Sequence, residues 1–192
     1  MDPLQEEQLW ILQALQGDQE AFTRLVSRYQ RQIFNLGYRM LGSAEDAEDI
    51  TQEAFLRAYA ALPSFQAGRK FSSWILSIAS NLCIDILRRR RFAWLSLEDV
   101  SFRAASSLEE PPGAALRRER ADQVQQLLGR LPEKYRLVVI LRYWYDFSYD
   151  EIAEATGLSL NTVKTRLHRA RGMLARAMEK EEKPCAIEPL AG

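Results

Sequence analysis

The chain has 192 residues, of which 47% are apolar and 27% are charged, and its formal net charge is zero. This composition is typical of a soluble globular protein with one or two domains. No stretch approaches the about 20 apolar residues of a membrane span, and the N-terminus lacks the basic start of a signal peptide. Two distant cysteines and one histidine fit neither a disulfide framework nor a zinc finger, so a cytoplasmic location is expected.

The zero net charge hides a strong segregation of sign along the chain. Residues 45–53 contain five acids and no base, residues 88–91 are four consecutive arginines, and residues 164–176 contain five bases and no acid. Any role in nucleic-acid binding therefore has to be argued from these local surfaces rather than from the total charge.

The first half of the chain predicts three helices. Asp18 can cap a helix whose apolar residues recur every three or four positions until Gly42 ends it. Ser43 starts a second helix, which runs to about Ala61 and is stopped by Pro63. After the loop sequence PSFQAGRK, a third helix begins at about Phe71 and continues into the arginine cluster.

The second half predicts a linker and further helices. Helical periodicity fails between residues 92 and 116, where SSLEEPPGAA has the composition of a linker. It resumes near Arg117, and Pro132 falls in the first turn of a strongly apolar helix. No segment alternates as a strand would. We therefore expect an all-α fold, with a first helical domain over 1–92, a linker over 93–116, a second helical domain over 117–180 and a tail over 181–192.

The segment SYDEIAEATGLSLNTVKTRLHRAR has the pattern of a helix-turn-helix. Ser148 and Glu151 form a capping box, and Gly157 supplies a left-handed turn residue four positions after the small Ala153. Val163, six positions further on, is the expected buried contact of the second helix. The opposite face of that helix would present Asn161, Lys164, Thr165, His168 and Arg169.

Such a face fits the DNA major groove, because base-edge donors lie near the helix start and cations lie along the flanking phosphates. The alternative is a solvated helix of an ordinary bundle. A random solvated face would mix charges of both signs, and this face does not.

An acidic face is predicted on the second helix. Asp46, Asp49 and Glu53 are spaced i, i+3 and i+7, with Gln52 and Phe55 beside them. The residues alone leave three interpretations open: a solvated face favoured by the helix N-terminus, a surface for a basic partner, or a metal site.

The third helix and the loop before it combine aromatic and basic residues. Phe65, Phe71 and Trp74 precede a mid-helix Asn81 and the four arginines. Single-stranded DNA binding uses such a combination, since rings stack on bases and cations follow phosphates, and Asn81 could bond an extruded base. Alternatively, Phe71 and Trp74 belong to the core, and the arginines favour a helix C-terminus.

These blocks, in this order, resemble the extracytoplasmic-function sigma factors of bacterial RNA polymerase, of the sigma-W-like kind. The resemblance covers about residues 17–178 and includes YRMLGSAEDAEDITQEAFLRAY, KFSSWILSIASNLCIDILRRRR and LPEKYRLVVILRY beside the helix-turn-helix. It implies two helical domains, sigma regions 2 and 4, joined by a flexible linker.

The resemblance also implies roles for individual residues. Those that would bind the clamp helices of the largest polymerase subunit are Asp46, Asp49, Gln52, Glu53 and Phe55. Those that would recognise and open the minus-ten element are Phe65, Lys70, Trp74, Asn81, Arg88, Arg89 and Arg90. Those that would read the minus-35 element are Asn161, Thr162, Lys164, Thr165, His168 and Arg169.

Further implications concern partners and chemistry. The resemblance implies contacts with core RNA polymerase, including the flap of its second-largest subunit, with promoter DNA and with an anti-sigma factor that is often anchored in the membrane. It implies no catalytic residue, no metal and no cofactor. Cys185 and the tail fall outside it. We also expect the linker to hold the two domains at a distance while they grip different stretches of one promoter, whereas the sequence does not define their relative placement in the free chain.

Two other interpretations of the chain differ in class. An ordinary helix-turn-helix regulator would bind duplex DNA without polymerase and would not need Asp49 or Phe65. A metal-dependent nucleotide pyrophosphohydrolase would use Glu45, Glu48 and Asp49, but that chemistry requires a second carboxylate pair on a facing helix. The first domain offers only Asp85 nearby.

Overall fold

The structure, a computed structural model, describes residues 3–66, 69–94 and 114–182. Within these ranges every regular element is helical, which confirms the predicted all-α class. The helices are α1 (Pro3–Leu15), α2 (Gln19–Leu41), α3 (Ala44–Ala61), α4 (Phe71–Trp94), α5 (Ala114–Gly129), α6 (Glu133–Trp144), α7 (Tyr149–Thr156) and α8 (Leu160–Glu182), with a 3-10 turn at Leu62–Ser64. We call α1–α4 the N-terminal module and α5–α8 the C-terminal module.

Local capping fixes the boundaries of α2 and α3. The Asp18 side chain accepts hydrogen bonds from the backbone N–H groups of Glu20 and Ala21. Gly42 ends α2 with a φ of 75°, a left-handed conformation that glycine adopts without steric cost. Ser43 Oγ then accepts from the Asp46 N–H at 3.2 Å. The predicted start and end signals of these two helices are therefore confirmed.

The N-terminal module packs its helices around α2. The apolar stripe of α2 is buried, and so are the facing positions of α3 and α4. The backbones of α2 and α3 approach closely at Gly37, where an added Cβ would lie 3.1 Å from the Cα of Ala47. Glycine is therefore needed at position 37 because it lets α2 and α3 approach closely, and not because of its own backbone conformation.

The first helix was not predicted from the sequence. In the structure α1 packs on α2, with Ile11 and Ala14 buried and Trp10 partly buried against the same core. The hydroxyl of Tyr29 donates to Glu7 Oε2 at 2.6 Å, which ties α1 to α2. Burial, with the nearby Glu7 carboxylate, raises the pKa of Tyr29, so this hydroxyl keeps its proton.

In the C-terminal module α6 is the central helix. Every residue from Tyr135 to Leu141 is buried, including Arg136. Pro132 is the N-cap of α6 and so lies one position before the first turn in which it was predicted. α5 begins at Ala114, three residues before Arg117. The predicted linker and the predicted tail lie mostly outside the described residues.

The two modules are in contact in the free chain, an arrangement that the sequence does not define. α2 packs on α5 and α6, and α4 packs on α6 and α7. Buried residues of both modules join in one continuous apolar cluster. Sequence composition can indicate a tether but not whether the tethered surfaces attract each other. Over the described ranges, no helix combines the length and apolar character that a membrane crossing needs.

Candidate functional site: an acidic helix and two basic surfaces

The helix-turn-helix forms as its sequence predicts. Ser148 Oγ accepts from the Glu151 N–H at 3.1 Å, and Glu151 returns the bond by accepting from the Ser148 N–H at 2.8 Å. Gly157 has a φ of 66°, and its N–H donates to the carbonyl of Ala153. This reciprocal cap and left-handed turn fix the angle at which α8 leaves α7.

The two faces of α8 divide into buried and exposed as predicted. Val163, Leu167 and Ala170 are at most 1% exposed, and they pack the helix onto its own module. The candidate base-reading side chains that are exposed are Asn161, Lys164, Thr165, His168 and Arg169. Thr162 is half-buried, and its hydroxyl lies 2.8 Å from that of Ser159 at the start of the helix. The contact of these six candidate side chains with DNA remains a prediction.

Aromatic hydroxyls from neighbouring helices contact two arginines of α8, Arg169 and Arg171. Arg171 donates to the hydroxyl of Tyr149 at 3.1 Å. A hydrogen bond from Arg169 lowers the pKa of Tyr135, with the nearby Lys134 acting in the same direction. These contacts orient the guanidinium groups without neutralising them, so their charge stays available to an anion.

The five candidate polymerase-binding residues of α3 differ in exposure and in pairing. Asp49 and Gln52 are exposed. Asp46 is paired with Arg90 of α4 at 2.5 Å, and Glu53 is paired with Arg57 at 2.7 Å.

The fifth candidate, Phe55, is only 7% exposed, with its ring centroid 6.4 Å from that of Phe22. It can support a docking face but offers little of its ring to a partner. The exposed centre of the acidic face is therefore Asp49 with Gln52.

The aromatic candidates at the start of α4 form a cluster. Phe65 is 8% exposed, and its ring centroid lies 5.7 Å from that of Phe71 and 5.1 Å from that of Trp74. Phe71 is fully buried, as the core interpretation expects, whereas Trp74 is half-buried. A base could stack on Phe65 only after this cluster rearranged, so its role at an extruded base remains a prediction.

The polar candidates further along α4 lie on its surface. Asn81, Arg88, Arg89 and Arg90 are all exposed. Arg88 lies 3.7 Å from Asp85, one turn earlier, and Arg90 is held by Asp46. The arginine cluster thus surrounds the end of α4 rather than forming one salt-bridged stripe.

Lys70 is a minus-ten candidate that bonds directly to the other module. Its Nζ donates to Glu151 Oε1 at 2.7 Å. This hydrogen bond raises the pKa of Lys70, and it is the first cause of the lowered pKa of Glu151.

Its neighbour Arg69 donates from Nε to Glu154 Oε1 at 2.5 Å. Sequence reasoning missed Arg69, although its position beside Lys70 in a loop next to aromatic residues was a signal for it.

The metal interpretation of the acidic helix gains no support from the geometry. In the part of the chain that the structure describes, no group of three or more His, Cys, Asp or Glu residues is arranged to hold a metal ion.

Comparison with known proteins identifies the family of the chain. The family described as Sigma-70 region 2 matches residues 25–93, and Sigma-70 region 4 matches residues 121–174. The extracytoplasmic-function sigma factor SigW of Bacillus subtilis (strain 168) is 39% identical over 176 residues, covering 88% of this chain and 94% of SigW. The RNA polymerase sigma-H factor of Pseudomonas aeruginosa is 33% identical over 183 residues, covering 91% and 95% of the two chains.

A solved structure of CnrH in complex with the cytosolic domain of CnrY matches 92% of this chain and 99% of the CnrH chain, with a TM-score of 0.71 and 26% identity. The identity to two curated sigma factors over nearly their whole length, with both regions in order, settles the classification. The chain belongs to the extracytoplasmic-function sigma factors of the sigma-70 family.

Proposed function

We propose that this chain binds core RNA polymerase through the exposed centre of α3 and directs it to promoters whose two elements are read by different modules. Residues 1–92 act as sigma region 2, residues 117–180 act as region 4, and residues 93–116 connect them. Asp49 and Gln52 lead the contact with the clamp helices of the largest subunit, with Asp46, Glu53 and Phe55 supporting it. The C-terminal module meets the flap of the second-largest subunit.

The observation that carries this proposal is the face of α8. Its exposed side chains are polar or cationic while the opposite stripe is fully buried, so the helix is free to enter a major groove. In this proposal Lys164 and Arg169 contact phosphates or guanine edges, and Asn161, Thr165 and His168 contact neighbouring base edges of the minus-35 element.

DNA opening is assigned to the N-terminal module. Unstacking a base step costs about a few kcal/mol, which a protein can offset by stacking and by cationic contacts with the separated strand. Trp74, Phe65 and Asn81 would hold an extruded base, while Lys70 and the arginines at the end of α4 follow the phosphates. No step of this process requires the chain to catalyse a reaction, because the polymerase carries out the chemistry.

Regulation and location are part of the proposal. The solved relative CnrH is bound to the cytosolic domain of CnrY. By analogy, this chain acts in the cytoplasm and is held by an anti-sigma factor that covers its polymerase and DNA surfaces. Each DNA reader alone binds modestly, and tethering both through one polymerase supplies the affinity.

Run-off transcription tests this function. Purified core polymerase with this chain, given genomic fragments, should start transcription at a limited set of positions that share two upstream sequence elements. The matched control replaces the chain with Lys164→Ala/Arg169→Ala, which should lose most of these starts. If core polymerase neither binds the chain nor gains promoter selectivity, while the chain alone protects duplex DNA, an ordinary helix-turn-helix regulator is the better description.

A further inference from the structure

The junction between the modules places acids of one module on cations of the other. Glu154 of α7 holds Arg69, and Glu151 of the same helix holds Lys70. Both cations lie directly before α4, next to the aromatic cluster assigned to the minus-ten element. The two carboxylates, which we call the acidic pair, therefore occupy positions that DNA phosphates would fill.

We infer that the free chain inhibits itself, because the acidic pair of α7 competes with promoter phosphates for Arg69 and Lys70. This inference rests on the proposed function, which assigns the start of α4 to the minus-ten DNA. It adds Arg69 to the phosphate-binding residues. It also gives α7 a second role, since the helix that supports the DNA reader of one module covers the DNA surface of the other.

A second set of contacts holds the modules together without using the candidate DNA residues. Gln125 Nε2 donates to the Tyr38 carbonyl at 3.0 Å, and the hydroxyl of Tyr145 donates to the Gln32 carbonyl at 2.5 Å. Arg136 donates to the carbonyl of Met40 from a buried position. Exposed ion pairs contribute little and are screened by salt, whereas buried bonds from a charged donor contribute more. This second set, with the buried bond of Arg136 in it, therefore keeps the modules closed, and the acidic pair covers the cations.

The closed arrangement cannot be the one that reads a promoter. The minus-35 and minus-ten elements lie about 25 base pairs apart, or about 85 Å of duplex at 3.4 Å per step. A compact chain of this length has a radius of gyration of about 16 Å, which corresponds to a globule about 42 Å across. The modules must therefore separate before both elements are bound, and that separation removes the acidic pair from Arg69 and Lys70.

The test measures shape and DNA binding on the full chain. The variant Glu151→Gln/Glu154→Gln removes both carboxylate charges and keeps the capping box, in which glutamine serves as well as glutamate. Its affinity for a fluorescein-labelled, mixed-sequence single strand of about 20 nucleotides should rise at least about fivefold over wild type. Its radius of gyration in X-ray scattering should stay close to that of wild type, because the contacts of Gln125, Arg136 and Tyr145 that keep the modules closed remain.

The controls separate this competition from a general change of charge. Asp150→Asn/Glu179→Gln makes the same net change at exposed positions of α7 and α8, and its affinity and shape should stay close to wild type. Arg69→Glu/Glu154→Arg restores an ion pair with reversed signs, so it should remain as compact as wild type. An equal gain in affinity for the control pair, or no gain for Glu151→Gln/Glu154→Gln, would overturn the inference. Neither measurement involves polymerase, so a failure of the run-off assay would contradict the proposed function separately.

Discussion

Arg136 of α6 and Met40 of α2, 96 residues apart in sequence, are joined by a hydrogen bond from the guanidinium to the backbone carbonyl. The other terminal nitrogen of Arg136 donates to the carbonyls of Gly129 and Leu131 at 3.0 and 3.1 Å. One buried side chain therefore satisfies the end of α2 and the α5–α6 turn together. Burial lowers the pKa of Arg136, but an arginine starts from so high a value that it stays charged.

The variant Arg136→Met should destabilise the protein by about 1–3 kcal/mol, because it keeps an apolar stem but leaves buried carbonyls without a donor. Arg120→Met, which changes an exposed arginine of α5, should change the free energy of unfolding by less than about 0.5 kcal/mol. Urea unfolding followed by circular dichroism measures both. Equal stability of the two variants would mean that water replaces the bonds of Arg136.

Gly37 and Gly172 should respond in opposite directions to the same substitution. At Gly37 a new Cβ meets the backbone of Ala47 at 3.1 Å, so Gly37→Ala should cost about 1–3 kcal/mol by forcing α2 and α3 apart. At Gly172, inside α8, a Cβ meets nothing within 4 Å, so Gly172→Ala should stabilise the helix by about 0.5–1 kcal/mol. Melting temperatures of the two variants test the pair. A stabilised Gly37→Ala chain would contradict the close helix contact.

Asp49→Arg should weaken binding to core polymerase at least about tenfold while the helical content stays unchanged, because a cation replaces an exposed acid at the centre of the proposed docking face. The control is Glu20→Arg, which makes a comparable charge change at an exposed position of α2. Biolayer interferometry with immobilised core polymerase compares the two variants. If Asp49→Arg binds as tightly as Glu20→Arg, this part of α3 lies outside the interface.

Lys164→Ala and Arg169→Ala should each weaken protection of the upstream promoter element, by about 1–3 kcal/mol where the side chain contacts a base edge and less where it contacts only phosphate. Arg176→Ala, an exposed cation later on α8, should have a smaller effect. Footprinting of the polymerase complex at two salt concentrations separates the two roles, since a lost phosphate contact lowers the salt dependence. Unchanged footprints in both variants would remove α8 from the minus-35 contact.

The features that could be predicted from the sequence are those with a local cause. Asp18, Ser43 and Gly157 act on backbone groups within a few residues. The helix ends that they define can therefore be predicted from the adjacent sequence. The division of α8 into two faces follows from helical periodicity for the same reason. Local patterns alone left several functions open for these residues, and the family resemblance supplied the expected role of each one.

The features that could not be predicted depend on partners distant in sequence. Arg136 interrupts an apolar run, which signals a special role, but nothing nearby identifies Met40 as its partner. The burial of Phe55 and Phe65 depends on aromatic neighbours from other elements. α1 was missed because its apolar residues cluster at Leu9–Leu12 instead of recurring every three or four positions, so only the contact with α2 shows which of them are buried.

The pair formed by Asp46 and Arg90 has a thermodynamic consequence. Asp46 belongs to the surface proposed for polymerase and Arg90 to the surface proposed for DNA. A polymerase group that takes up Asp46 would release Arg90 to a phosphate, and a phosphate that takes up Arg90 would release Asp46. Binding of polymerase would then strengthen binding of DNA, and binding of DNA would strengthen binding of polymerase by the same free energy. For a partly exposed pair this cooperativity is at most about 1 kcal/mol, or about fivefold in either dissociation constant.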